Sequence, residues 1–305
     1  MSFSSQIKEE LQQQTEEKRH CRLAELAALS AVCGRPEKDE NGTERLVICT
    51  ENAFVARKYF TLFRKSLKVY IVVGVQTKNK GSRSYRLCVE GREAMDLVTS
   101  TLRLTEGPAG IVDERLCKNS CCMRAALRGY FLACGSMSDP SKGYHLEMAT
   151  QDERAAEQII RFMAAFSLEG KMIKRKNHFV VYLKEGEGIA DFLKVIGAGR
   201  SLLEFENTRI LKDMRGRVNR KVNCEAANIS KIVAASARQV EDIRLIDRMM
   251  GLENLSPTLR QMAYLRLEQP DASLEELGKL ADPPVGKSGV NHRLRKLSEL
   301  AETLR

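Results

Sequence analysis

The chain has 305 residues, 43% of them hydrophobic, with 50 Lys and Arg against 40 Asp and Glu and a formal net charge of +10. That hydrophobic share supports a folded core large enough for two domains and excludes a globally disordered chain. No stretch approaches the roughly 18 consecutive apolar residues of a transmembrane helix, and the basic balance favours a polyanionic partner, with nucleic acid ahead of an anionic membrane.

The polar start, Met1 to Arg22, has no apolar core and does not read as a signal peptide. Residues 1–20 are expected to form an N-terminal helix, and the nine cysteines are expected to be reduced in a cytosolic chain. From 21 to 200 the sequence runs through one plan twice, in repeats 21–110 and 120–200. Each repeat opens on a small-residue helix ending in Cys-Gly, Cys33-Gly34 and Cys134-Gly135, an offset of 101. Each continues into an alternating strand ending in Thr, Arg45 to Thr50 and His145 to Thr150, an offset of 100. A helix follows (Glu51 to Ser66; Gln151 to Phe166), then a strand pair (Lys68–Val75 with Tyr85–Val89; Lys171–Arg175 with His178–Leu183). Each repeat closes with a helix beginning near a glycine, Gly91 or Gly186, with Asp96 or Asp191 five residues on.

The opening helices carry Ala24, Ala27, Ala28 and Ala31 on one face, and Ala126, Gly129 and Ala133 on the matching face of the second copy. A stripe this small lets two helix backbones approach closely, so the two are expected to pack on each other about a pseudo-twofold axis. Cys33, Cys49, Cys88 and Cys134 stand in apolar surroundings and read as small core residues. Cys117, Cys121 and Cys122 raise the question of a metal, but no second ligand pair follows at useful spacing, since His145 and His178 stand alone. No metal and no cofactor are therefore expected.

The nonapeptides Leu26-Ala-Ala-Leu-Ser-Ala-Val-Cys-Gly34 and Leu127-Arg-Gly-Tyr-Phe-Leu-Ala-Cys-Gly135 resemble two copies of the LAGLIDADG motif of homing endonucleases. The resemblance implies two αββαββα lobes joined at those helices, their sheets forming a DNA-binding saddle, here with a very short first strand in each lobe. In that family the acidic residue before the final glycine holds the Mg²⁺ that activates water. Here those positions are Cys33 and Cys134. Mg²⁺ wants hard oxygen ligands, so both metal-ligand positions are expected to be lost and no catalytic residue remains. Asp139 lies close in sequence but outside the motif.

Residues 201–231 read as a basic hinge. From Arg209 to Lys221 it holds Arg209, Lys212, Arg215, Arg217, Arg220 and Lys221 against one acid, Asp213, with Asn219 among them. Arg and Asn suit phosphate and base-edge contacts; the alternative is a solvated linker helix whose cations meet acids of the first domain.

Residues 232–305 read as all helix. Ile232 to Met250 is amphipathic, Ser256-Pro257 starts a second helix, and Ser273-Leu-Glu-Glu276 is a capping box opening a short helix, Leu274 to Ala281. Asp282-Pro-Pro-Val-Gly286 stops it, and a last helix runs from about Ser288 to Thr303. Residues 273–305 thus have the helix-turn-helix pattern, with Leu274, Leu277 and Leu280 expected to pack on Val290, Leu294 and Leu297. The free face presents Ser288, Asn291, His292, Arg295 and Lys296, with Arg293 beside them, as a recognition helix needs. Gly286-Lys287-Ser288 is not a P-loop, because position 281 is Ala rather than Gly. Gly197-Ala-Gly199 follows a helix and is not a dinucleotide fingerprint.

The hinge, the degenerate repeats and the C-terminal motif together resemble the WhiA family over essentially the whole chain. The expected fold is α+β: a duplicated LAGLIDADG-like saddle followed by an all-α helix-turn-helix domain. The expected function is sequence-specific binding of double-stranded DNA without nuclease activity, in the cytoplasm at the nucleoid. The resemblance implies roles in transcription, sporulation, cell division and chromosome segregation in bacteria, with a protein partner in transcription or division. The competing expectation is a non-catalytic cell-division scaffold whose saddle holds a protein.

Overall fold

The computed structural model describes residues 2–38, 44–77, 83–104 and 110–305. Two compact units divide the chain, Met1–Asp213 and Met214–Arg305.

The first unit opens with α1 (Phe3–Gln13), capped by the Ser2 hydroxyl. Two αββαββα lobes follow. The first is α2 (Arg19–Cys33), β1 (Gly34–Lys38), β2 (Glu44–Thr50), α3 (Ala53–Ser66), β3 (Val72–Thr77), β4 (Arg83–Val89) and α4 (Arg92–Leu102). The second is α5 (Ser120–Cys134), β5 (Gly135–Met137), β6 (Leu146–Thr150), α6 (Glu153–Ala164), β7 (Lys171–Arg175), β8 (His178–Leu183) and α7 (Gly186–Ile196). Both antiparallel sheets share one strand order, β1-β2-β4-β3 and β5-β6-β8-β7. The repeat predicted from the sequence is therefore a repeat of topology.

The period-two pattern places the core. Leu46 pairs with Val89 and Ile48 with Leu87; in the second sheet Leu146 pairs with Leu183 and Met148 with Val181. All eight are buried, because alternate residues of a strand share one face. Even the caps repeat: the Asn52 carboxamide accepts the Phe54 and Val55 amides at the start of α3, and the Asp152 carboxylate accepts the Arg154 amide at the start of α6.

At the centre, α2 lies along α5. Ala24, Ala27, Ala28 and Ala126 are buried between them, and a Cβ on Gly129 would stand 2.5 Å from the Glu25 carbonyl oxygen and 2.9 Å from the Ala28 Cβ. Ala31 and Ala133, at the far ends of the two stripes, are half-buried. The seam also carries charge. Glu25 on α2 and Lys58 on α3 are fully buried and lie 3.0 Å apart, and Arg128 on α5 reaches Glu25 at 3.5 Å and Glu16 at 2.9 Å. Carbonyls complete the shell: Lys58 donates to Leu11 at 3.0 Å and to Gln14, and Arg128 Nε donates to Ile196 at 2.8 Å. Such a cluster is tolerable without water only because each ion has opposite charge and polar partners.

Several expectations need correction. The helices open later than the sequence reading, at Ala53 rather than Glu51 and at Glu153 rather than Gln151, where the Asn52 and Asp152 caps stand. The strand expected over Lys68–Val75 lies at Val72–Thr77, because Lys68 adopts φ 56° and the chain turns there. Of the cysteines read as core, only Cys88 is buried; Cys33 and Cys134 are half-buried and Cys49 is exposed, pointing away from the helices on the opposite face of β2 from Ile48.

The basic hinge is not a break in secondary structure. Residues 201–231 belong to one continuous helix, α8 (Gly199–Met250). Gly216 alone in this stretch is a poor helix former, at about 1 kcal/mol, which its helix-compatible neighbours offset.

In the second unit α8 leads to α9 (Pro257–Glu268), α10 (Leu274–Leu280) and α11 (Lys287–Thr303). Ile243, Ile246, Met262, Ala263, Leu277, Val290, Leu294, Leu297 and Ala301 form its core. Leu274 packs at the margin, whereas Leu280 is 56% exposed at the end of α10, contrary to expectation. The capping box is present: Ser273 Oγ accepts the Glu276 amide at 3.3 Å, and Glu276 accepts the Ser273 amide at 2.8 Å. Buried Arg266 closes the preceding turn, donating to the carbonyls of Pro270 at 3.1 Å and Ala272 at 2.7 Å.

Candidate nucleic-acid interface

The helix-turn-helix is held by a close approach at Gly278. Val285 donates to the Gly278 carbonyl at 3.0 Å, and a Cβ on Gly278 would meet the Val285 carbonyl oxygen at 2.2 Å. This glycine, unremarked in the sequence reading, sets α11 against α10. With Val290, Leu294 and Leu297 turned inward, Ser288, Asn291, His292, Arg295 and Lys296 are all exposed on α11. Arg295 is tied to Glu299 one turn on, at 2.8 Å. Arg293 differs from its neighbours: it is half-buried, and its Nη1 has no hydrogen-bond partner among the described residues.

The cations of α8 fall into two groups. Arg209 pairs with Glu206 at 2.8 Å and lies over the Phe205 ring, and Lys212 donates to the Pro140 carbonyl at 3.2 Å and sits 4.7 Å from the Tyr144 ring centroid. These two are engaged within the first unit. Arg215, Arg217, Arg220 and Lys221, together with Asn219, are exposed and make no side-chain hydrogen bond or ion pair among the described residues. At 100° per residue, Leu211, Met214, Val218, Val222, Ile229, Ile232 and Val233 fall within one sector of the same helix, and all are more than half exposed. The apolar stripe runs along the same helix as the charges, and only the helix continuity makes it visible.

At the C-terminal ends of α2 and α5, Cys33 and Cys134 occupy the positions where the LAGLIDADG pattern carries acids. Burial pushes the Cys33 thiol up to about 11, and burial with the neighbouring Cys33 pushes Cys134 up to about 12. Both are therefore neutral at pH 7, and Cys134 donates to the Tyr130 carbonyl at 3.2 Å. The charges within reach are cations: Lys8 of α1, whose pKa burial lowers while the two thiols oppose that shift, and, beside Cys33, Arg35. Asp139 is no substitute acid: it accepts from the Ser141 backbone at 2.9 Å and hydroxyl at 2.6 Å in an exposed turn.

Upstream of the cysteine cluster, His20 and Cys21 stand beside it. His20, Cys21, Cys121 and Cys122 come together, their ligand atoms all within 4.8 Å of one another. Cys117 is buried outside this group. His145 pairs with Glu147 at 3.1 Å.

These features define a duplicated LAGLIDADG-like α+β domain joined to a helical domain that carries a helix-turn-helix. The family comparisons agree domain by domain. Residues 19–104 match the WhiA N-terminal LAGLIDADG-like domain, residues 123–215 the WhiA LAGLIDADG-like domain, and residues 218–301 the WhiA C-terminal HTH domain. The chain belongs to the WhiA family. It is 44% identical to the probable cell division protein WhiA of Lachnoclostridium phytofermentans over 312 residues, covering 100% of both chains. It is 48% identical to the probable cell division protein WhiA of Desulfitobacterium hafniense (strain DSM 10664 / DCB-2), covering 100% of this chain and 96% of that one. The crystal structure of full-length DUF199/WhiA from Thermatoga maritima superimposes with a TM-score of 0.61 at 28% identity over 99% of each chain. The crystal structure of the N-terminal LAGLIDADG domain of DUF199/WhiA shares the fold, with a TM-score of 0.52 at 23% identity over 64% of this chain and 90% of that one. Among the described residues no helix is long and apolar enough to cross a membrane.

Proposed function

We propose that the chain is a sequence-specific binder of double-stranded DNA that regulates transcription in the cytoplasm at the nucleoid, and that it serves cell division, chromosome segregation and sporulation without cutting DNA. The observation that carries this reading is α11: one face is sealed into the core while Ser288, Asn291, His292, Arg295 and Lys296 stand in solvent. A helix of this width fits a major groove, and Asn and Arg carry the paired donors and acceptors that distinguish bases there. The unpaired cations of α8, Arg215, Arg217, Arg220 and Lys221, supply sequence-independent attraction to phosphate. The neutral thiols at 33 and 134 support a non-catalytic role for the LAGLIDADG-like domain, since neither can hold Mg²⁺.

Genome-wide mapping of bound sites, followed by titration of purified protein onto one mapped site and onto scrambled DNA at several salt concentrations, tests the proposal. The expected result is a recurrent sequence element bound at least tenfold tighter than the scramble, with both duplexes intact after incubation with Mg²⁺ or Mn²⁺. Equal affinity for every duplex would remove the sequence-reading role from α11. Reproducible cleavage, abolished by substitution at Cys33 or Cys134, would overturn the non-catalytic reading.

A further inference from the structure

We infer that His20, Cys21, Cys121 and Cys122 form a structural site for one zinc ion, built on the pseudo-twofold axis at the N-terminal end of the central helix pair. The offset that relates Gly34 to Gly135, 101 residues, also relates His20 to Cys121 and Cys21 to Cys122. Each repeat thus contributes two consecutive residues from the first turn of its central helix, His20 and Cys21 on α2 and Cys121 and Cys122 on α5. The fold's own symmetry brings the two pairs to one point.

The geometry is close to what a tetrahedral ion demands. His20 Nδ1 lies 3.0 Å from Cys122 Sγ and 3.4 Å from Cys21 Sγ, and all four ligand atoms lie within 4.8 Å. Zn–S bonds of about 2.3 Å and Zn–N bonds of about 2.0 Å place neighbouring ligands roughly 3.5–3.8 Å apart. The observed contacts of 3.0 and 3.4 Å and the outer limit of 4.8 Å bracket that spacing, with Cys21 and Cys122 buried, Cys121 half-buried and His20 exposed.

The chemistry selects the ion. Three thiols and an imidazole are soft and borderline donors, suited to zinc and unsuited to Mg²⁺ or Ca²⁺. Four protein ligands leave no open position, which marks a structural rather than a catalytic site. The site would tie the two lobes together about 20 Å along the seam from Cys33 and Cys134, at 1.5 Å per helical residue.

The competing outcome for thiols this close is a disulfide across the seam. Full-length protein without a polyhistidine tag, purified from zinc-supplemented cells and dialysed against metal-free buffer, should retain one zinc per chain by elemental analysis. Cys21→Ser and Cys121→Ser should lose most of it, and Cys117→Ala and Cys224→Ala should keep it. Should the serine variants fail to fold, cobalt titration of the metal-stripped wild type still decides: one equivalent should develop the intense visible bands of tetrahedral thiolate-bound Co²⁺. Zinc that washes out on dialysis, cobalt spectra without thiolate bands, or a Cys21–Cys121 or Cys21–Cys122 disulfide by non-reducing peptide mapping would each overturn the proposal.

Discussion

Gly129 faces the backbone of Glu25 so closely that a Cβ at this position would stand 2.5 Å from the Glu25 carbonyl oxygen. Replacing a mid-helix glycine by alanine ordinarily gains up to about 1 kcal/mol. Here the obstacle is backbone of the opposing helix, which cannot swing aside as a side chain can. Gly129→Ala is therefore expected to destabilise by roughly 1–3 kcal/mol as the helices are forced apart. Gly216→Ala, where the nearest contact is a flexible Arg220 side chain at 3.6 Å, should be neutral or stabilising. Melting curves of both variants decide the matter, and an unchanged Gly129→Ala would mean that the two helices can separate at no cost.

Beside that contact lies the buried triad of Glu25, Lys58 and Arg128. Removing the shared anion leaves two cations facing each other without water. Glu25→Gln should cost about 3–5 kcal/mol in chemical denaturation, far more than the loss of an exposed pair such as Lys279 with Glu275, which water and salt screen. A Glu25→Gln protein as stable as wild type would mean that the cations are solvated.

The division of the α8 cations makes a prediction about salt. Each phosphate contact contributes about 0.9 to the slope of log K against log salt. Arg215→Ala with Arg217→Ala should flatten that slope by roughly two units and weaken all sequences alike. Arg209→Ala, whose side chain is held by Glu206 and Phe205, should leave the slope nearly unchanged and lower thermal stability instead. If Arg209→Ala flattens the slope and the double variant does not, the assignment is reversed.

On α11 the Arg295 guanidinium is shared with Glu299 at 2.8 Å. Asn291→Ala should reduce discrimination between target and scramble by about 1–3 kcal/mol. Glu299→Gln should release Arg295 and tighten binding to any duplex. Gel-shift titrations on both duplexes measure the two effects, and wild-type discrimination by Asn291→Ala would move the recognition surface elsewhere.

The thiols make a prediction about pH. With Cys33 pushed up to about 11 and Cys134 up to about 12, the reactive thiolate form is scarce at pH 8 and rises only as pH approaches those values. Exposed Cys49 and Cys224 should be alkylated first at pH 8, with Cys33 and Cys134 labelled only on unfolding. Peptide mass spectrometry gives the order; early labelling of Cys134 would contradict its burial.

Much of the fold could be read before any coordinates. Cys-Gly, Thr and Gly landmarks recurring at offsets of 100 and 101 announce a duplication, and small-residue stripes announce two helices in contact. The capping box at Ser273 and the inward Val290, Leu294 and Leu297 announce the helix-turn-helix. What escaped were relationships across the axis. His20 has no meaning as a ligand until α2 and α5 are laid side by side, although its offset of 101 to Cys121 was there to be used. The charged seam was equally hidden, since Glu25, Lys58 and Arg128 lie on three separate helices. The basic run 201–231 could be read for its charge but not for its continuity: that it is part of one helix, Gly199–Met250, follows from helix-compatible residues on either side of Gly216 rather than from the cations.

Lys8 has a consequence for any attempt to place carboxylates at positions 33 and 134. Its ammonium lies within electrostatic reach of both thiols at the end of the seam. Carboxylates installed at 33 and 134 would therefore share their surroundings with a resident cation, whose charge opposes the binding of a divalent metal there. Two substitutions would complete the acidic pattern in sequence while the charge of Lys8 still weighed against a metal ion at the same point. The electrostatics of the two motif ends thus depend on a residue outside both motifs, on a helix that precedes the duplication.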